Sequence, residues 1–202
     1  MIIKEIQATK MNELEVLLEN FQPEGEQEVS DLLIFKELAK DPKNYTRASL
    51  AHFTASAFVV NENRDKILGI FHKIYQSWGW LGGHADGETN LLSVARREVE
   101  EESGLTSLKL LLDEPISIEN LTVTGHFHRK YGYVSGHLHL NVTFLFEVSG
   151  SEELILNEVE TDGIGWIPIN DFVEKSTEPE MKIVYSKIIE RIIRLGKRDE
   201  NN

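Results

Sequence analysis

The sequence predicts an α/β protein, a β-sheet flanked by helices, and three observations predict it. The apolar residues change from helical spacing to strict alternation near Ala51. A turn with three glycines in the six residues 82–87 feeds a strongly acidic amphipathic segment. A last apolar stripe, Met181, Val184, Tyr185, Ile188, Ile192 and Leu195, returns to helical spacing.

In order along the chain, Leu14, Leu17, Leu18 and Phe21 predict a first helix that Pro23 and Gly25 end. Val29, Leu32 and Leu33 begin a second, which stops near Asp41-Pro42. The two read as a packed hairpin: a cap, a dimer contact or simple packing on the core. Phe53, Ala55, Ala57 and Val59 then alternate with more polar neighbours as a strand, and Lys66–Ile74 returns after a turn at Asn61–Asp65. Leu92, Ala95 and Val99 mark the apolar face of the acidic helix that follows the glycine turn. Thr106–Asp113 and Ser117–Thr124 are weaker strands, and 125–136 reads as a loop rich in histidine, basic and tyrosine residues. Gly136–Val148 is the clearest strand, with Leu138, Leu140, Val142, Phe144 and Phe146 on one face and His137, His139, Asn141, Thr143 and Glu147 on the other. Gly165-Trp166-Ile167-Pro168 forms a last strand, followed by a short turn at Asn170-Asp171-Phe172. The final helix has Pro179 in its first turn and Gly196 as its stop. The domain division that results is 1–48 as an N-terminal helical extension, 49–197 as one domain including the C-terminal helix, and 198–202 as a tail.

The chain is 202 residues with a formal charge of −13, which argues against general binding to nucleic acid or anionic membranes. A phosphorylated substrate is compatible only if cations are recruited locally. The absence of cysteine excludes disulfides, thiolate metal sites and cysteine nucleophiles. No apolar run approaches the ~18 residues of a spanning helix. Cytoplasmic residence is the expectation.

In the acidic helix, Glu98, Glu101 and Glu102 stand at i, i+3 and i+4 and crowd one face. Such like-charge pairs repel by a few tenths of a kcal/mol each. Arg96 and Arg97 offset part of that, each within a turn of Glu100 or Glu101. A hard divalent cation such as Mg²⁺, which favours carboxylate oxygens, would offset the rest. For a glutamate run alone, a solvated acidic face is the plain alternative.

The run GGHADGETNLLSVARREVEEESGL resembles the signature of the Nudix hydrolases, G-x5-E-x7-R-E-U-x-E-E-x-G-U, where U is a bulky aliphatic residue. Arg97, Glu98, Val99, Glu101, Glu102, Gly104 and Leu105 match its second half without a gap. The first half departs: counted from Gly82, the first glutamate falls on Glu88 but the helix side is one residue long; counted from Gly83, it falls on Thr89. The resemblance covers roughly residues 50–172 and implies an α/β/α sandwich with a mixed β-sheet. It implies attack of water on a nucleoside diphosphate linked to another group. It also implies Mg²⁺ (or Mn²⁺) on Glu98, Glu101 and Glu102 with the Gly82 carbonyl, Arg97 orienting a carboxylate, and Glu88 in an auxiliary role. The general base stays open among the helix glutamates, Glu147, Glu158 and Glu160. The expected partner is a small phosphorylated substrate, a nucleotide derivative, and relatives of this kind are often homodimers.

His84, His137, His139 and Arg129 are candidate substrate contacts. A His-x-His pair on a strand can also bind a transition metal, but the sequence shows no third ligand beside it. Two alternatives to hydrolysis stand beside it. Nucleotide-sensing modules usually carry a basic DNA-binding extension, whereas the C-terminal segment here reads as a single mixed-charge helix. An isopentenyl diphosphate isomerase uses a cysteine that this chain lacks.

Overall fold

The fold comes from a computed structural model that describes residues 11–73, 75–128, 132–148, 153–156 and 161–199. It opens with α1 (Glu13–Asn20), started by a reciprocal cap. Asn12 accepts from the Glu15 N–H, and the Glu15 carboxylate takes the Asn12 N–H. After α2 (Gly25–Leu38) and a 3₁₀ turn (Pro42–Tyr45) come strands β1 (Ala51–Asn61) and β2 (Lys66–His72), then the short β3 (Ser77–Gly79) and β4 (Leu81–His84). Helix α3 (Leu91–Ser103) precedes β5 (Leu108–Leu110) and β6 (Ser117–Val123), the ribbon β7 (His126–His128) with β8 (Gly132–Val134), and β9 (His137–Val148). β10 (Thr161–Pro168), α4 (Ile169–Lys175) and α5 (Pro179–Asp199) complete the order.

The main sheet runs β10-β2-β1-β9-β5, with β3 on β2, β4 on β1 and β6 on β9. β1 and β9 pair in parallel over their whole length, and the other pairings are antiparallel, so the sheet is mixed. Alternate residues of β1 enter different cores. Phe53, Ala55, Ala57 and Val59 pack with Val94, Ala95 and Val99 of α3 and with Leu14, Leu18 and Phe35 of the N-terminal helices. Phe58 and Val60 pack with Phe172 of α4 and Tyr185, Ile188 and Ile192 of α5. Helices therefore cover both faces, giving the α/β/α sandwich that the resemblance implies, with the N-terminal helices sharing the core of the sheet. No helix among the described residues is long and apolar enough to cross a membrane.

Four local expectations are corrected. The helix at the C-terminus runs through Gly196 to Asp199; a single glycine costs only about 1 kcal/mol in a helix, which a long apolar stripe outweighs. The stretch 125–136 contains the β7–β8 ribbon, because His126↔Val134 and His128↔Gly132 pair. The turn after β10 is helix α4, anchored by buried Phe172. Arg96 does not screen the glutamates: it donates to the Leu108 carbonyl at 2.9 Å and lies over the Phe146 ring.

A buried ion network ties α2 to α5 and β6. Glu28 accepts from the Arg191 guanidinium, from Lys187 at 3.0 Å and from the Glu24 N–H at 2.7 Å. Burial raises the Glu28 pKa, but the bonds from Arg191, the Glu24 backbone and Lys187 outweigh it and hold it below its ordinary value. Glu119 lies 2.9 Å from Lys187, and there burial prevails and pushes the carboxyl up.

Candidate functional site

The glycine turn and the acidic helix meet as one unit. β4 delivers Gly82 and Gly83 alongside β1, opposite Ser56 and Ala55. After it, Asp86 (φ 47°) and Gly87 (φ 96°) are both left-handed, and the Glu88 N–H returns to the Ala85 carbonyl at 2.9 Å. This is the primed turn that an Asp-Gly pair favours. The N-terminal segment supports it from outside: Gly87 donates to the Tyr45 carbonyl at 2.7 Å, and Arg47 grips Asp86 with two bonds of 2.8 and 3.0 Å. Helix α3 starts at an Asn90 cap, whose side chain accepts from Ser93 N–H at 2.9 Å, and ends at left-handed Gly104.

Glu98 and Glu102 both lie against the bend. Glu102, 4% exposed, accepts the Gly82 N–H at 3.0 Å. The Glu98 carboxylate, 17% exposed, fills the space beside Gly83 where a side chain would otherwise project. Glu101 is 61% exposed and lies further out. Arg97 spans Glu98 at 3.4 Å and Glu101 at 3.8 Å, contacts longer than a bidentate pair. Hard oxygen donors beside a glycine backbone suit Mg²⁺ or Mn²⁺.

The remaining expected residues fall elsewhere. Glu88 is exposed and accepts the Asn90 N–H at 3.0 Å, so it steadies the start of α3. Counted from Gly82, the extra residue relative to the family pattern falls between Glu88 and Arg97. Glu147 sits at the opposite end of β9 from His137, bonded to Arg64 and Lys109 at 2.9 Å each. Arg129, Glu158 and Glu160 lie outside the described residues.

His84, His137 and His139 come together, and sequence reasoning missed the fourth member, His52. The parallel register sets His52 beside His139, and the antiparallel one sets His84 beside Thr54, so all lie on one face of the sheet. His52 stacks on His84 and on His137 with ring centres 5.1 and 5.0 Å apart. Burial lowers the pKa of His84 to about 3 and of His139 to about 2, and neighbouring cationic groups add to both shifts. His52 is lowered too, again mainly by burial.

Because these folded-state values lie below the ordinary 6.5, the unfolded chain takes up protons first. Their contribution to stability is complete above about pH 6.5 and is lost as pH falls, at about 1.4 kcal/mol per pH unit for each group. With chelator present, Tm is expected to fall between pH 7 and pH 5, and His139→Ala is expected to flatten that slope. Equal slopes for the two proteins would contradict the assignment.

The family model described as NUDIX domain matches residues 50–190. Among solved structures, the chain is similar to an Ap4A hydrolase binary complex from C. elegans, at TM-score 0.56 and 17% identity, over 70% of this chain and 97% of that one. It is similar to the E. coli dihydroneopterin triphosphate pyrophosphohydrolase, at TM-score 0.53 and 12% identity, over 69% and 95%. It is also similar to a MutT protein from Methanosarcina mazei Go1, at TM-score 0.50 and 18% identity, over 73% and 96%. No curated protein matches the chain. At these identities the structural likeness concerns the fold.

Proposed function

We propose, given that the chain belongs to the NUDIX family, that it is a Mg²⁺-dependent pyrophosphohydrolase that opens a phosphoanhydride by attack of water at phosphorus. It is a Nudix hydrolase, acting on nucleoside diphosphate derivatives. The observation that carries the finer reading is the approach of Glu98 and Glu102 to the Gly82–Gly83 bend from the facing helix.

In this reading Glu98, Glu101, Glu102 and the Gly82 carbonyl hold the cation, with Mn²⁺ as a substitute. The bound cation supplies charge neutralisation for the diphosphate and polarises phosphorus. The chain's own work is positioning, which is most of what phosphoryl chemistry asks of a protein. Glu102 fixes the bend through the Gly82 N–H, and the absent side chain at Gly83 lets the Glu98 carboxylate reach the strand edge. Arg97 restrains Glu98 and Glu101 at the solvent side. In this reading Glu147 stays in its ion pairs with Arg64 and Lys109, and the base comes from elsewhere.

The test is a panel of dinucleoside polyphosphates, nucleotide sugars, pterin triphosphates and oxidised nucleoside triphosphates assayed with Mg²⁺ in ¹⁸O-labelled water. One or more is expected to release phosphate-bearing products, with the label on phosphorus. A silent panel accompanied by tight nucleotide binding would replace hydrolysis with sensing.

The two glycines separate positioning from folding. At Gly82 a side chain would meet the Ala55 carbonyl at 2.6 Å and the Ser56 Cα at 2.8 Å, both backbone, so Gly82→Ala is expected to cost about 1–3 kcal/mol of stability in a urea titration. At Gly83 the obstruction is the movable end of Glu98. Gly83→Ala should keep its fold and lose turnover; a Gly83→Ala protein with full activity would count against the placement of Glu98.

A further inference from the structure

We propose that His52, His84, His137 and His139 form a second metal site, distinct from the glutamate face, that binds one divalent transition ion of the Zn²⁺ class. One ligand atom from each of the four lies within 4.8 Å of those of the others. Four imidazoles at the corners of a tetrahedron, with Zn–N about 2.0–2.1 Å and each ring centre about 1.1 Å beyond its nitrogen, have ring centres about 5 Å apart. Five of the six ring pairs stand at that distance: 5.1 Å (His52–His84), 5.0 Å (His52–His137), 5.1 Å (His52–His139), 4.8 Å (His84–His139) and 5.0 Å (His137–His139).

The bonding around the rings points the same way. His52 is 3% exposed; its Nδ1 is 2.9 Å from the Ser49 carbonyl oxygen and must donate to it, which leaves Nε2 a bare acceptor. That Nε2 is buried and has no hydrogen-bond partner among the described residues. An orphaned imidazole nitrogen in a core is costly unless something electrophilic faces it. His137 repeats the arrangement: Nδ1 donates to the Ser135 carbonyl at 2.9 Å, and the Nε2 so freed faces the His139 Nε2 at 3.1 Å. A backbone carbonyl behind the far ring nitrogen is the usual way to orient a metal-bound histidine. Imidazole donors suit Zn²⁺, Cu²⁺, Ni²⁺ or Fe²⁺, whereas the oxygen donors of α3 suit Mg²⁺ or Mn²⁺.

The ion would cross-link the start of β1, the start of β9 and the end of β4, immediately ahead of the primed turn at Asp86-Gly87. It would thereby pin the strand that carries Gly82 and Gly83. Arg47, whose charge acts on these histidines, is already paired with Asp86. The chain's charge of −13 favours a cation here. The site stands whether or not the chain hydrolyses a diphosphate.

The test is titration of the chelator-treated full-length protein with Co²⁺, followed by Zn²⁺ displacement. The first Co²⁺ equivalent per chain is expected to give the intense visible absorption of tetrahedral nitrogen coordination, and Zn²⁺ should erase it. His52→Asn and His139→Asn should each weaken Co²⁺ binding by at least about 100-fold. Glu98→Gln combined with Glu102→Gln should leave the spectrum unchanged, which separates this site from the glutamate face. Because a histidine variant could fail to fold, X-ray absorption at the Zn edge of the wild-type protein gives an independent reading: four nitrogens with imidazole outer-shell scattering support the proposal. An oxygen-only shell, a visible spectrum that survives in both folded histidine variants, or one lost in the glutamate variant would overturn it.

Discussion

Glu98→Gln and Glu102→Gln are each expected to lower kcat/KM by about 10²–10³-fold or more, the scale on which enzymes lose rate when one preorganised charge-stabilising group is removed. Glutamine keeps the size of the side chain and one carbonyl oxygen, so Glu102→Gln can still accept the Gly82 N–H that fixes the bend. What is lost is the negative charge that attracts a hard cation. The more exposed Glu101 should follow the same direction, because it completes the same helix face. All three variants are expected to melt within a few degrees of the wild type, since replacing a glutamate relieves like-charge repulsion along α3. Raising Mg²⁺ should recover part of the lost rate if the defect is in holding the cation. Unchanged turnover in all three would remove these residues from the reaction.

The largest expected loss of stability lies far along the chain from that helix. Glu28→Ala should destabilise the fold by about 3 kcal/mol, the low end of the range for breaking a buried ion pair, because Arg191 keeps Glu24 at 3.7 Å and the Ile116 carbonyl. In a chain of this length that is a fall in Tm on the order of 10 °C. The cause is Arg191, 7% exposed, which faces Glu28 across the α2–α5 contact, with Lys187 sharing the same carboxylate. Glu28→Met combined with Arg191→Met should recover much of the loss, because well-packed apolar pairs replace buried ion pairs at little cost. A double-mutant cycle read by urea denaturation measures the coupling. Independent, additive effects of the two substitutions would show that the pair is not what joins α2 to α5.

The parts of this molecule written in short-range pattern were legible in its sequence. The switch to alternation at Ala51, the apolar face of β9 and the acidic helix with its glycine turn are local signals, and each became the expected element. Gly104 ends α3 in the left-handed conformation that a glycine there suggests. Features set by distant pairings were not legible. His52 gains meaning only through the register that places it beside His139 and near His84, three strands widely separated along the chain. Glu28 and Arg191, 163 positions apart, are likewise joined only in the folded chain. On the polar face of β9, Asn141, Thr143 and Glu147 are buried, which alternation alone does not reveal. Asn141 there accepts from both Thr54 and Ser56, at 3.0 and 2.8 Å, satisfying polar groups that the sequence gives no reason to pair. The extra residue between Glu88 and Arg97 looked like a defect in a family pattern. In three dimensions Glu98 and Glu102 still reach the bend.

The most direct test of the central claim is the rate of hydrolysis as a function of free Mg²⁺, on whichever compound the panel identifies. Saturable activation from a baseline of no turnover in chelator is expected, with the midpoint moved to higher Mg²⁺ by Glu98→Gln and unmoved by Glu28→Ala assayed below its unfolding temperature. A protein that hydrolyses the same compound at full rate in excess chelator would contradict it.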